Sequence, residues 1–227
     1  MQIRKHVPNT ITLLNLFCGC IALVAIARGD FFNAFIFVCL GIFLDFFDGF
    51  FARLFKVSSP LGLQLDSLAD MITSGVVPGY VMYSMLNSVT ENSYLPFVGF
   101  VITLGACYRL ANFNIDERQT DSFIGLPTPA NALFFLSLPL ISGFELLTNA
   151  GFLIALTLLS AYIMNAEIPL FSLKIKKLNF KDNALQISFL LLSVLLLVAF
   201  QFLGIPLVIL MYVLLSIINN QWLKKAA

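Results

Sequence analysis

Charge is scarce in this 227-residue chain: 13 Lys and Arg with 12 Asp and Glu make up only 11% of it. That scarcity excludes a water-soluble domain with a charged surface. A basic excess is also missing, so there is no electrostatic stripe for a nucleic acid. Histidine occurs once, at His6, and is read as an interfacial residue. The four cysteines, Cys18, Cys20, Cys39 and Cys107, lie in apolar stretches without metal-ligand or disulfide spacing, and are read as small buried hydrophobes. Internal repeats and low-complexity tracts are lacking, and the loops are too short for an added soluble domain.

What the chain has instead is apolar residue, 59% of the total, with a mean hydropathy of +0.94. An all-α, polytopic transmembrane helix bundle follows, since each bilayer span needs about 20 mostly apolar residues. Glycine, proline and charged clusters divide the sequence into eight expected spans, at 9–27, 31–54, 59–86, 94–115, 126–144, 150–171, 184–203 and 205–222. Arg4 and Lys5 before the first apolar run imitate a signal peptide, but Asn9, Thr10, Thr12 and Asn15 interrupt that run and no A-x-A site follows. It is read as a retained first helix. With the N-terminus inside, eight spans leave only Arg28 of the 13 basic residues on the outer side, so both termini are expected in the cytoplasm.

Chemistry concentrates between residues 44 and 79. Asp45 and Asp48 are three apart, and Asp66 and Asp70 four apart, so each pair occupies one face of its helix. Ser58, Ser59 and Pro60 break the chain between the pairs, with Pro60 suited to the first turn of the second helix. The two helices run antiparallel and their acidic ends can meet. An unpaired aspartate at helix-centre depth costs about 2.5–3.5 kcal/mol on insertion scales, and four would also repel one another. Arg53 and Lys56 are too few to compensate, whereas hard divalent cations (Mg²⁺, Mn²⁺ or Ca²⁺) suit carboxylates unaccompanied by His or Cys. Two such ions match four carboxylates. Gly49, Ala52 and Gly62 add small side chains beside the acids and leave room for a ligand, while Gly75 and Gly79 are read as helix-packing positions.

Asp45, Asp48, Gly49, Ala52, Arg53, Gly62, Asp66 and Asp70 together form D-x2-D-G-x2-A-R-x8-G-x3-D-x3-D. This pattern resembles the signature of the CDP-alcohol phosphotransferase family. Four stretches resemble its membrane-type phosphatidylserine synthase branch: P-N-T-I-T-L-L-N from Pro8, L-D-S-L-A-D from Leu65, Y-R-L-A-N-F-N from Tyr108 and G-L-P-T-P from Gly125. The resemblance implies a six-helix core over roughly residues 1–172, usually dimeric, with two added C-terminal spans at about 184–222. It also implies transfer of a phosphatidyl group from CDP-diacylglycerol to L-serine at the cytoplasmic face of the cell membrane, with release of CMP.

Carried over by position, Asp45, Asp48 and Asp66 would be ligands to Mg²⁺ or Mn²⁺. Asp70 would be the general base and could also touch a metal. Gly49, Ala52, Arg53 and Gly62 would accommodate the donor nucleotide. By polarity and cytoplasmic position, Arg109, Asn112, Arg118, Asn114 and the turn at 125–129 are the candidates for serine. Asn112 stands where the branch often has a basic residue, while Arg109, near a helix end, could equally complement the helix dipole. The alternatives are a glycerol phosphate or inositol acceptor within the same family, and an ion-coupled transporter using the aspartates as a relay.

Overall fold

A computed structural model describes residues 3–57, 59–116, 124–172 and 183–226, with side chains defined between 6 and 220. Nine α-helices are described: α1 (Ile3–Ala27), α2 (Phe31–Phe55), α3 (Pro60–Asp70), α4 (Val77–Val89), α5 (Val101–Ile115), α6 (Thr128–Ser137), α7 (Ala150–Asn165), α8 (Ala184–Phe200) and α9 (Gly204–Ala226). A π turn, Met71–Val76, joins α3 to α4 without a break, so the third expected span is one helix from 60 to 89.

Local chemistry sets the boundaries near the acids. Asp30 caps α2, its carboxylate accepting from the Asn33 backbone N–H at 3.0 Å and from the Asn33 amide at 2.6 Å. These bonds hold its carboxyl below the usual carboxylate range. The far end of α2 closes at Lys56, which adopts the left-handed conformation at φ 55°. Ser59 then caps α3, its hydroxyl accepting from the Gly62 N–H at 3.0 Å, and Pro60 occupies the first turn as the sequence predicts.

Four helical stretches among the described residues are long and apolar enough to cross a membrane: 6–27, 31–55, 95–115 and 184–220. The last folds back on itself at residues 201–204, because Phe189 of α8 meets Tyr212 of α9 at 5.4 Å between ring centroids. The chain is an integral membrane protein. Two expected spans are shorter than the sequence suggests. The fifth ends at Leu140, just past Pro139, and the sixth ends at Asn165, where the chain turns extended and Pro169 pairs with Ile124.

Packing depends on close approach. A Cβ on Gly19 of α1 would lie 2.7 Å from Thr73 Cγ2, and one on Gly41 of α2 would lie 2.8 Å from Asn15 Oδ1 and 3.1 Å from the same Thr73 methyl. Thr73, in the π turn, thus wedges between α1 and α2 where only glycines leave space. Gly75 and Gly79 face Ala106 and Thr103 of α5, in line with their packing role. Val77, Val81, Met82, Ile102, Phe135 and Leu153 fill the centre of the bundle. Leu190, Leu191, Val194 and Val198 of α8 face outward, as a lipid-exposed helix requires. Cys18 is buried as expected, but Cys20 and Cys107 lie on the outer surface of the bundle. An apolar face toward lipid accommodates a thiol as readily as a core does.

Candidate active site

The cytoplasm-predicted end of the bundle contains a cavity of about 590 Å³ lined by all four aspartates, Arg53 and Arg109. One wall comes from α1, α2 and α3, and the other from α5 and the start of α6. Asp45, Asp48 and Asp66 each offer one oxygen, and these atoms all lie within 4.8 Å of one another. Asp45 Oδ1 is buried without a hydrogen-bond partner. Three converging carboxylates with an orphaned oxygen, no thiolate and no imidazole, fit a hard divalent cation. Asp70 stands outside this group of three, although the sequence pattern offers it as a fourth ligand.

The first helix holds two of the acids in place, a contribution that the signature does not include. Thr12 donates its hydroxyl to Asp48 Oδ2, and Asn15 Nδ2 donates to Asp70 Oδ1 at 3.2 Å. Asn15 is fully buried, and its carbonyl oxygen fits only because residue 41 has no Cβ. Asn9 also lines the cavity, so residues 9, 12 and 15 present a polar stripe at helical spacing. The sequence shows these residues as polar interruptions of an apolar run. Their partners lie 36 and 55 positions away, beyond what local periodicity can identify.

Arg109 is 7% exposed, with Nε and Nη2 unpartnered, six residues before the end of α5. That depth removes the helix-dipole reading, since the dipole acts within the last turn. A buried guanidinium with two nitrogens lacking partners, on the wall of a cavity, has the donors that an anion would need. Asn112 is a correction: it is exposed and does not line the cavity. At about 100° per residue it falls outside the arc occupied by Arg109, Leu110, Phe113 and Asn114, which do. Asn114 donates to Ser67 Oγ at 2.8 Å, fastening α5 to α3 at the cavity. Arg118 and the lysines at 174, 176, 177 and 181 lie outside the described residues.

Gly49, Ala52, Arg53 and Gly62 all line the α2–α3 wall. The exposed Arg53 folds back along its helix, so that a Cβ on Gly49 would sit 3.6 Å from its Nη1. A Cβ on Gly62 would meet Ser59 Oγ at 3.2 Å and Asn9 Oδ1 at 3.3 Å. Counting ionised side chains, four carboxylates against two guanidinium groups leave the cavity with a formal charge of −2. Such a site repels an anionic ligand unless cations are bound with it.

The cavity thus sets three carboxylates that could hold a divalent cation beside a buried guanidinium, within a bundle of membrane helices. The chain belongs to the CDP-alcohol phosphatidyltransferase family, whose sequence pattern matches residues 5–174. It is a CDP-alcohol phosphotransferase, which displaces the transporter reading. The chain is 38% identical over 129 residues to the CDP-diacylglycerol–serine O-phosphatidyltransferase of Bacillus subtilis, covering 55% of this chain and 70% of that one. The similarly named protein of Methanocaldococcus jannaschii is 31% identical over 162 residues, 70% and 74% of the two chains. The archaetidylserine synthase of Methanothermobacter thermautotrophicus is 30% identical over 167 residues, 71% and 69% of the two.

Proposed function

We propose that this enzyme transfers the phosphatidyl group of CDP-diacylglycerol to the hydroxyl of L-serine, giving phosphatidylserine and CMP. The observation that carries this reading is the buried Arg109, its Nε and Nη2 without hydrogen-bond partners, in the same cavity as the carboxylate cluster. Arg109 supplies forked donors for a carboxylate or a phosphate, groups that neutral inositol lacks, and the choice of serine over glycerol phosphate rests on the relatives. Relatives named for different lipid products, phosphatidyl and archaetidyl, share serine in their names, which supports a common acceptor.

Asp45, Asp48 and Asp66 would hold Mg²⁺ or Mn²⁺: one ion would neutralise the formal charge of −2, and a second would leave the cavity positive for the anionic donor. Bound there, the metal supplies charge neutralisation at the transferred phosphoryl group and the departing phosphate of CMP. Asp70 takes the proton from the serine hydroxyl as its oxygen forms the new bond to phosphorus. The bond from that phosphorus to the CMP phosphate oxygen breaks, and CMP leaves with the electron pair. Asn15 holds one oxygen of Asp70, leaving the other for the acceptor. Gly49, Ala52 and Gly62 leave space for the nucleotide, and Arg53 reaches its phosphates. The cavity faces the cytoplasm of the cell membrane in this reading, because Arg53 and Lys56 lie at its end of the bundle and Arg28 at the other. The enzyme acts as a homodimer, as its family resemblance implies.

An acceptor panel tests the substrate. Purified protein is given CDP-diacylglycerol and Mn²⁺ with L-serine, ethanolamine, glycerol 3-phosphate or inositol, and CMP release is followed. The expected result is turnover with serine alone. Arg109→Gln is expected to raise the serine KM by roughly ten- to a hundredfold, the loss of hydrogen bonds between charged groups. Turnover with glycerol 3-phosphate or inositol and none with serine would contradict the proposal.

A further inference from the structure

Residues 166–172 leave α7 as irregular chain, and several of their backbone N–H and C=O groups find partners elsewhere in the protein. One set of partners is the loop that enters α6. Gly125 N donates to Ile168 O at 2.9 Å, Leu126 N donates to Ile163 O at 3.2 Å, and Ile124 pairs with Pro169. Gly125 has φ +73°, and a Cβ there would lie 2.3 Å from the Met164 carbonyl oxygen, so a glycine is needed for this approach. The loop continues directly into Pro127, Thr128 and Pro129, which line the cavity on the wall shared with Arg109.

The other set of partners comes from α8 and α9, helices beyond the residues matched by the family pattern. Tyr212 Oη donates to Phe171 O at 2.9 Å, Phe171 N donates to Ser216 Oγ at 3.3 Å, and Asn220 Nδ2 donates to Pro169 O at 2.5 Å. Gln186 Nε2 adds a bond to Ser172 O at 3.2 Å. Tyr212, Ser216 and Asn220 recur every fourth residue and so form one face of α9. The Phe171 ring is held edge-on by Tyr212 at 4.9 Å and by Phe189 at 5.6 Å.

We propose that the α8–α9 hairpin is a clamp that sets the acceptor wall of the active site. Tyr212, Ser216 and Asn220 are positioning residues: they fix the backbone at 169–171, which fixes the loop at 124–126 and through it the cavity-lining turn at 127–129. This inference rests on the reading that the acceptor binds against the Arg109 wall.

The test uses full-length purified Tyr212→Phe, with Ser216→Ala as a second variant should the first fail to fold. Two quantities are read: amide hydrogen exchange of the peptide containing Gly125 and Leu126, and the KM values of acceptor and CDP-diacylglycerol measured separately. The clamp predicts faster exchange in that peptide and an acceptor KM raised by roughly three- to tenfold, with the donor KM unchanged. Unchanged exchange, an unmoved acceptor KM, or equal losses for donor and acceptor with exchange rising throughout the bundle would each overturn it. If wild-type protein does not use serine, the substrate reading fails, and the exchange measurement with the acceptor then found decides the clamp by itself.

Discussion

Asp70→Asn is expected to lower kcat with serine by on the order of 10²–10⁴-fold, the usual contribution of a positioned general base. The substitution preserves shape and leaves an oxygen to accept from Asn15, so the bond seen at 3.2 Å can persist. Only the charge and the proton-accepting oxygen are lost. Because Asp70 stands outside the three-carboxylate group, metal affinity and the KM for CDP-diacylglycerol are expected to change little. Removing one of four like charges from the cavity also relieves repulsion, so the metal-free variant should unfold no more easily than wild type. Steady-state kinetics with a thermal melt checks all three parts. Wild-type kcat in a folded Asp70→Asn protein would eliminate the base assignment.

The second large effect belongs to the cation site. Asp66→Ala removes one of the three oxygens lying within 4.8 Å of one another and is expected to reduce turnover to that of chelator-treated wild type. Transition-state charge stabilisation of several kcal/mol, on the order of 10³-fold or more, is at stake. The same variant should need much more Mn²⁺ for half-saturation, as measured by the electron paramagnetic resonance of free Mn²⁺ during titration. Arg109→Gln, in contrast, should leave that titration unmoved. Full activity of Asp66→Ala at an unaltered Mn²⁺ requirement would remove this residue from the site.

The signature was legible because its spacing is helical: three and four residues between acids place each pair on a single face, and a Ser-Pro break turns one helix back against the other. The all-helical membrane architecture was legible for a similar reason, since hydropathy and punctuation are local properties. The supports of the acids were less so. Thr12 and Asn15 announced themselves only as polar residues in an apolar helix, and nothing near them in sequence names Asp48 and Asp70 as their partners. Arg109 read equally as a serine contact and as a helix-end residue, because its depth depends on how α5 packs, and Asn112 read as a serine candidate although helix geometry turns it away from the cavity. The π turn after Asp70, with Thr73 set between two glycines, arises from tertiary packing and has no single-sequence signal. Tyr212, Ser216 and Asn220 did have one, a four-residue polar period in an apolar helix, but the backbone they hold is 41 to 51 residues away.

The central claim is that a carboxylate-bound cation and Asp70 together move a phosphatidyl group onto serine. Its most direct measurement is incorporation of radiolabelled L-serine into chloroform-extractable lipid by chelator-stripped, purified protein as Mn²⁺ or Mg²⁺ is added back, with CMP quantified in the same samples. The account predicts no labelled lipid without metal, saturable recovery with it, and one CMP for each labelled lipid. Labelled lipid formed at full rate in stripped protein, or CMP released with metal while serine stays in the aqueous phase, would contradict it.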